Sequence, residues 1–230
     1  MKGYSQFCPV AKGAEIFNER WTPLIIREMM CGSRRFNDLK RGNPMMSPSL
    51  LSQRLKFLEQ AGVVEKKTGK GESAEYSLTE SGRDLGEVVT RLGLWGLKWA
   101  RSRLTKDDYD PQLLMWDIRR RIDTSAFPAQ RVVMSFMFRD MPASRRAYWL
   151  IVDDGEVDLC IKFPGFDVDL AFITTSKTMA DIWMGHTTIR KEIRNGNLSL
   201  EGGKALKKNI DDWFTYSVFS DPEALRASLS

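Results

Sequence analysis

The sequence is poor in the side chains on which metal binding and disulfide bonding depend. His186 is the only histidine in 230 residues, and the three cysteines, Cys8, Cys31 and Cys160, lie far apart. Structural zinc sites need several Cys or His residues at short spacings, so such a site is disfavoured. An odd cysteine count also disfavours a secreted disulfide framework. We therefore expect no metal and no cofactor.

Other missing features exclude further classes of protein. No apolar run approaches the roughly 18 residues of a membrane span, and Met1–Lys12 lacks the apolar segment of a signal peptide. The glycines of Gly69-Lys70-Gly71 and Gly202-Gly203-Lys204 fit neither common nucleotide-binding pattern. Nothing supports a Ser-His-Asp arrangement through His186. We expect a cytoplasmic protein that does not interact with a membrane and is not an enzyme.

Positive charge is concentrated in the first half of the chain. Residues 1–105 contain 18 Lys and Arg against 11 Asp and Glu, whereas residues 106–230 contain 17 against 19. A basic half suggests a polyanionic partner, although solubility alone would also explain it. The polar segment Leu104–Pro111 ends in proline and predicts a junction between two domains, residues 1–105 and 111–230.

The first half has the apolar spacing and the boundary residues of helices. Thr22-Pro23 is typical of a helix start, and Gly32 of a helix end. A short helix is predicted over Phe36–Arg41 and ends at Gly42. Ser47-Pro48 then opens another helix, which runs to about residue 62.

The helix that begins at Ser47 has two distinct faces. Its leucines, Leu51, Leu55 and Leu58, recur with helical spacing and predict a buried face. The opposite face carries Ser49, Gln53 and Lys56, which suit the major groove of DNA. A solvated surface is the alternative for an isolated helix. The preceding helix and the compact turn over residues 42–46 favour a helix-turn-helix.

A lysine-rich hairpin follows this helix directly. Val63–Lys67 and Ala74–Leu78 are predicted strands, and Thr68–Ser73 is the tip between them. Such a hairpin is a wing, suited to contact phosphates or the minor groove. The residues predicted to contact DNA are Arg35, Ser47, Ser49, Ser52, Gln53, Lys56, Lys66, Lys67 and Lys70.

Several motifs in residues 7–100 resemble the HxlR family of bacterial regulators. They are Phe7-Cys8-Pro9, Arg20-Trp21-Thr22, the run from Gly32 to Leu39, the run from Leu51 to Glu59, and the run from Tyr76 to Gly82. The resemblance implies a winged-helix homodimer that binds double-stranded operator DNA. It also implies dimerisation through terminal helices.

The residues agree with that implied dimer. Leu85, Val88, Leu92, Trp95 and Trp99 form a heptad-like apolar seam, although such a stripe can also pack within its own subunit. A two-fold dimer predicts a palindromic site with half-sites about 34 Å apart, or a multiple of that.

In the second half the apolar period changes to that of strands. Strands are predicted at Arg131–Arg139, Tyr148–Val152, Val157–Phe163 and Val168–Phe172, with a hairpin turn at Asp153-Asp154-Gly155, and helices at Ser176–Met184, Thr187–Arg194 and Lys204–Phe214. Strands followed by helices predict an α+β fold after the winged helix.

Residues 111–219 resemble the sterol-carrier-protein-like fold, which has a sheet and helices around an apolar cavity. The segments that carry this resemblance are 149–157, 169–175, 182–185 and 193–198. It implies an apolar small-molecule effector, with Phe136, Phe138, Trp149, Phe172, Trp183 and Met184 as candidate lining residues. The alternative is that these side chains fill a core. A lipid carrier with incidental DNA binding is the corresponding alternative function.

Cys8 is a candidate redox sensor, since some regulators of this type carry a redox-sensing cysteine at this position. If a helix starts here, Lys12 lies one turn further along and would favour the thiolate. An inert thiol is the alternative, and it is favoured for Cys31.

Overall fold

The computed structural model describes residues 3–69 and 73–229. The chain forms two compact units, Met1–Trp99 and Ala100–Ser230. The break between them precedes the polar segment that we interpreted as a linker. Asp110 in that segment caps a helix, because its Oδ1 accepts hydrogen bonds from Gln112 N at 2.8 Å and Leu113 N at 3.2 Å.

The first unit contains five helices and one hairpin. Its elements are α1 (Pro9–Phe17), α2 (Thr22–Met30), α3 (Phe36–Arg41), α4 (Pro48–Gln60), β1 (Val64–Lys67), β2 (Glu75–Leu78) and α5 (Glu80–Trp99). The predicted order of helix, turn, helix and hairpin is therefore confirmed. A buried cluster from α2, α3, α4 and the hairpin forms its core.

The boundaries of α2 and α4 have different origins. Ser47 caps α4 as predicted, because its Oγ accepts from Leu50 N at 3.3 Å. Thr22 does not cap α2 and is instead its first, fully buried residue. Trp21 precedes it in a left-handed conformation with φ of 81°. Gly32 ends α2 with φ of 94°, a conformation that favours glycine.

A buried carboxylate fastens α2 to the segments that follow it. Glu28 is fully buried, and its Oε1 accepts a hydrogen bond from Ser33 Oγ at 2.6 Å. Arg27 Nη2 lies 3.1 Å from Glu28 Oε2 and donates to the Gly42 carbonyl at 3.2 Å. A Cβ on Gly42 would lie 2.0 Å from Glu28 Cδ. Position 42 therefore needs glycine because the carboxylate occupies the space of a side chain.

The second unit is built on one mixed sheet. Its elements are α6 (Pro111–Arg119), β3 (Val132–Phe138), β4 (Ala147–Asp153), β5 (Glu156–Cys160), β6 (Leu170–Thr174), α7 (Ser176–Trp183), α8 (Ile189–Arg194), β7 (Ser199–Gly202), α9 (Lys204–Lys208), α10 (Ile210–Trp213) and α11 (Pro222–Ala227). The strand order is β5-β4-β3-β6-β7, and β6 runs parallel to β3. The α+β class is confirmed.

Two predictions for this unit were wrong, and some of its elements were not predicted. The strand predicted to reach Phe163 ends at Cys160, because Pro164 and Gly165 interrupt the pattern, and the Phe163 side chain is 63% exposed. The helix predicted over residues 204–214 is divided into α9 and α10 at Asn209. The sequence analysis did not predict α6, β7 or α11. β7 has only four residues, which is too few to show a clear alternation of apolar and polar side chains.

No helix in the described ranges combines the length and apolar composition that crossing a lipid bilayer requires.

We expect Gly42→Ala to lower the free energy of unfolding by about 3 kcal/mol, because the new methyl group would displace a buried charge from its partners. Urea denaturation measures this change. Gly13→Ala in α1 is the matched control, since nothing lies within 4 Å of its Cβ position. The control should be neutral or slightly stabilising. Equal stability of the two variants would contradict this role of Glu28.

Candidate nucleic-acid interface

Helix α4 divides its side chains between the core and the solvent. Leu51, Leu55 and Leu58 are at most 1% exposed and pack into the core of the first unit. The side chains on the other side of α4 are exposed: Ser49, Ser52, Gln53 and Lys56. One face of the helix is therefore fixed by apolar burial, and two hydroxyls, an amide and an ammonium remain available to a ligand.

The N-terminus of α4 brings two of the predicted residues together. Ser47 Oγ lies 3.2 Å from Ser49 Oγ, and Ser47 also caps the helix. The Ser47 hydroxyl therefore stabilises the start of α4 and is also exposed to solvent. The cap sets the residue at which α4 begins.

A partly buried ion pair holds the middle of α4. The Arg54 guanidinium pairs with the carboxylate of Glu19, and their side chains are 19% and 14% exposed. Glu19 lies between α1 and α2, so the pair joins α4 to an earlier part of the chain. The sequence analysis missed this contact, because no local spacing connects the two residues. Arg54 positions α4 and is not part of its exposed face.

The wing is a short antiparallel hairpin with a third segment beside it. β1 pairs with β2 from Val64 opposite Leu78 to Lys67 opposite Glu75. The segment before α3 joins β2, since Arg35 forms a bridge with Glu75 and Tyr76 N donates to the Arg34 carbonyl at 2.8 Å. This pairing brings Arg35 next to the wing.

The charges of the wing are balanced by nearby acids. Lys67 Nζ lies 3.0 Å from Glu65 Oε1, and Arg35 Nε lies 3.7 Å from Glu75 Oε1. A hydrogen bond from Ser77 and the neighbouring Lys67 lower the pKa of Glu65. Lys66 and Lys67 are exposed, and so is Arg35. Lys70, the remaining lysine predicted to contact DNA, lies outside the described residues.

The predicted dimer seam on α5 is exposed over most of its length. Val88, Leu92, Trp95 and Trp99 are 47%, 45%, 57% and 61% exposed, respectively. Leu85 is half-buried and packs against the core of the first unit. Two tryptophans exposed on one helix leave a large apolar area in contact with water.

The HxlR-like helix-turn-helix family matches residues 16–103. The HTH-type transcriptional regulator YvaP of Bacillus subtilis, described as uncharacterised, is 35% identical over 98 residues. That alignment covers 41% of this chain and 91% of YvaP. The chain belongs to the HxlR-like helix-turn-helix family.

Further relatives of this HxlR-like protein have similar coverage. The HTH-type transcriptional regulator YodB of Bacillus subtilis is 35% identical over 91 residues, covering 38% of this chain and 81% of YodB. A solved structure of the redox regulator HypR in its oxidised form is 31% identical, covers 40% of this chain and 96% of HypR, and has a TM-score of 0.37. The HxlR-like match includes α2 to α5 and ends at residue 103.

Cys8 lies at the N-terminal end of α1 in this HxlR-like protein. It immediately precedes the first helical residue, Pro9, and its side chain is half-buried. The Lys12 ammonium, which we expected to act on the thiol, lies 3.0 Å from Glu15 Oε1. Lys12 is therefore paired with a carboxylate of its own helix.

The aromatic residues predicted to line a cavity pack against one another or against neighbouring rings. Phe136 and Phe172 stack with ring centroids 4.4 Å apart, and Phe172 also meets Trp213 edge to face. Phe136, Phe138 and Phe172 are at most 1% exposed. Trp183 is also buried, whereas Trp149 and Met184 are half-buried. The sheet face with Phe136, Phe138 and Phe172 forms the core of the second unit, whereas Trp149 pairs with Ser135 and lies on the other face.

In the part of the chain that the structure describes, no three His, Cys, Asp or Glu side chains gather into a group able to hold a metal ion.

Proposed function

We propose that this HxlR-like protein is a transcription factor that binds double-stranded operator DNA through α4 and the wing. The division of α4 into a buried leucine face and an exposed Ser49, Gln53 and Lys56 face carries this proposal. Small hydroxyls and an amide can hydrogen-bond base edges in the major groove. Ser47 and Ser52 lie close to this face in sequence, Arg35 lies next to the wing, and all three are exposed.

The wing supplies charge rather than sequence preference in this proposal. Lys66 and Lys67 are exposed, and the ion pair between Lys67 and Glu65 is open to water. Such exposed pairs contribute at most about 1 kcal/mol, so a phosphate can replace the acidic partner. Each phosphate contact adds about one power of salt concentration to the dependence of affinity on salt. A lipid carrier that bound DNA only incidentally would lack a preferred sequence, so sequence preference is the property that distinguishes it from a regulator.

Gln53→Ala should reduce discrimination at one base pair of the preferred site by about 1–3 kcal/mol. Competition binding with single-base variants of a site selected from random duplexes measures this loss. Gln60→Ala is the matched control, because Gln60 is exposed at the far end of the same helix, and recognition helices read bases near their N-terminus. Equal weakening of all sequences by Gln53→Ala would contradict base readout by this residue.

We propose that the protein acts as a homodimer through the seam on α5. Four of its five apolar side chains are 45% or more exposed in a single chain, which is the surface that a second copy would cover. A two-fold axis between two copies would present two α4 helices to a palindromic site with half-sites about 34 Å apart.

Trp95→Glu should weaken self-association by at least about 2 kcal/mol, since large aromatic residues dominate interface energies. Sedimentation equilibrium measures the dissociation constant. Leu104→Glu, which changes a side chain that is 50% exposed outside the seam, is the control. The seam is not the interface if both variants dimerise as tightly as the unchanged protein.

Redox control through Cys8 is a second candidate mechanism, favoured by the half-buried thiol at the start of α1. Peroxide treatment should then change operator affinity in the unchanged protein and not in Cys8→Ser. Cys31→Ser, which removes an exposed thiol elsewhere in the first unit, should respond like the unchanged protein. An identical peroxide response in all three proteins would exclude Cys8 as the sensor.

The apolar effector, the sterol-carrier-like assignment and the cytoplasmic location stay predictions. An apolar ligand would need to separate rings that are now in contact, such as Phe136 and Phe172. Native mass spectrometry after mild extraction is the measurement that decides whether such a ligand is carried.

A further inference from the structure

The second unit contains a polar cavity that is separate from its apolar core. Its volume is about 310 Å³, at the lower end of the range for small-molecule sites. Every lining residue is polar or charged: Arg101, Lys177, Thr178, Asp181, His186, Thr187, Lys191, Glu192, Asn195 and Asn197. None of the residues that we predicted to bind an apolar ligand lines it.

A buried glutamate builds one wall of this cavity. Glu192 is 7% exposed, and its two oxygens accept hydrogen bonds from Thr187 Oγ1 at 2.6 Å and Asn197 Nδ2 at 2.7 Å. These hydrogen bonds lower the pKa of Glu192, so the carboxylate stays charged at neutral pH. Because both oxygens are engaged, Glu192 links the residues that flank α8, and its charge offsets only part of the positive charge of the cavity.

The second carboxylate, Asp181, is surrounded by cations. Lys177 Nζ lies 2.5 Å from Asp181 Oδ2, and His186 Nδ1 lies 3.4 Å from Asp181 Oδ1. The Arg101 guanidinium approaches Asp181 only to 4.0 Å, with its side chain 52% exposed. Lys191 is exposed at the rim. The lining therefore carries three permanent cations, Arg101, Lys177 and Lys191, against two carboxylates, Asp181 and Glu192, and has an excess of positive charge.

We propose that this cavity binds a small organic anion that bears a carboxylate or a phosphate group. Arg101 and Lys191 would supply the charge, and the amides of Asn195 and Asn197 would supply further hydrogen bonds. Guanidinium groups are well suited to carboxylates and phosphates because they can donate two parallel hydrogen bonds. The volume exceeds the needs of a single inorganic ion and suits a small organic molecule.

The position of Arg101 in the chain gives this ligand a route to regulation. Only Ala100 separates Arg101 from Trp99, the last residue of α5 and of its apolar seam. An anion held by Arg101 would restrict the segment immediately after α5. It would change DNA affinity if it bound more tightly to one arrangement of the dimer than to another. This second step rests on the proposed function, whereas binding of the anion does not.

Calorimetric titration of the full chain tests the site. Citrate and glucose 6-phosphate are the carboxylate and phosphate probes, and glucose is the neutral control. We expect saturable binding of at least one anion, weakened about tenfold or more by Arg101→Ala and by Lys191→Ala. Lys162→Ala removes an exposed lysine outside the cavity and should leave the affinity unchanged. The stronger probe identifies the anionic group that is preferred.

Three results would overturn the proposal. The first is that neither citrate nor glucose 6-phosphate binds saturably, and the second is that glucose binds as tightly as the anions. The third is that Lys162→Ala weakens anion binding as much as Arg101→Ala and Lys191→Ala do. Thermal unfolding of each variant checks that its fold is intact. Operator affinity is then measured at constant ionic strength with and without the bound anion. An unchanged operator affinity overturns the regulatory step alone, and a failure to bind DNA overturns the proposed function without affecting the calorimetric result.

Discussion

The carboxylate of Glu28 is a charge held where water does not reach, and the first unit is arranged to satisfy it. Ser33 donates to it from beyond the end of α2, and Arg27 pairs with it while also binding the Gly42 carbonyl. A buried charge without partners is strongly destabilising, so these three segments are constrained to stay together. The three segments are the end of α2, the residues around Ser33 that follow it, and the turn around Gly42 that precedes α4. The direction of α4 depends on this constraint.

The surfaces of the first unit follow from what its core does not use. The leucines of α4 and the apolar face of α2 fill the interior, which leaves the polar side of α4 exposed beside the wing. The seam on α5 also remains exposed, because Trp95 and Trp99 lie outside the buried core of this unit. One polar surface and one apolar surface thus lie on the same small unit. This division is consistent with the proposed homodimer and the proposed DNA contact.

Local patterns in the sequence predicted much of the first unit. They did not predict contacts between residues that are far apart in the sequence. The cap at Ser47 and the spacing of Leu51, Leu55 and Leu58 depend on neighbours within a few residues, and the structure has them as expected. The pair between Arg54 and Glu19 joins residues with no common motif. Gly42 was expected to be a helix end, and its more important role, making room for Glu28, is visible only in three dimensions.

By itself the sequence determined the order of elements in the winged helix and the polar and apolar faces of α4. It also determined most strands of the second unit. These features follow from hydrophobic periodicity and helix caps, which depend on residues close together in the sequence. Tertiary structure alone decided that β6 lies parallel to β3 and that Phe136 stacks on Phe172. It also gathered the residues around Asp181 into a polar cavity. Such arrangements depend on how separate segments pack, and no local pattern encodes that.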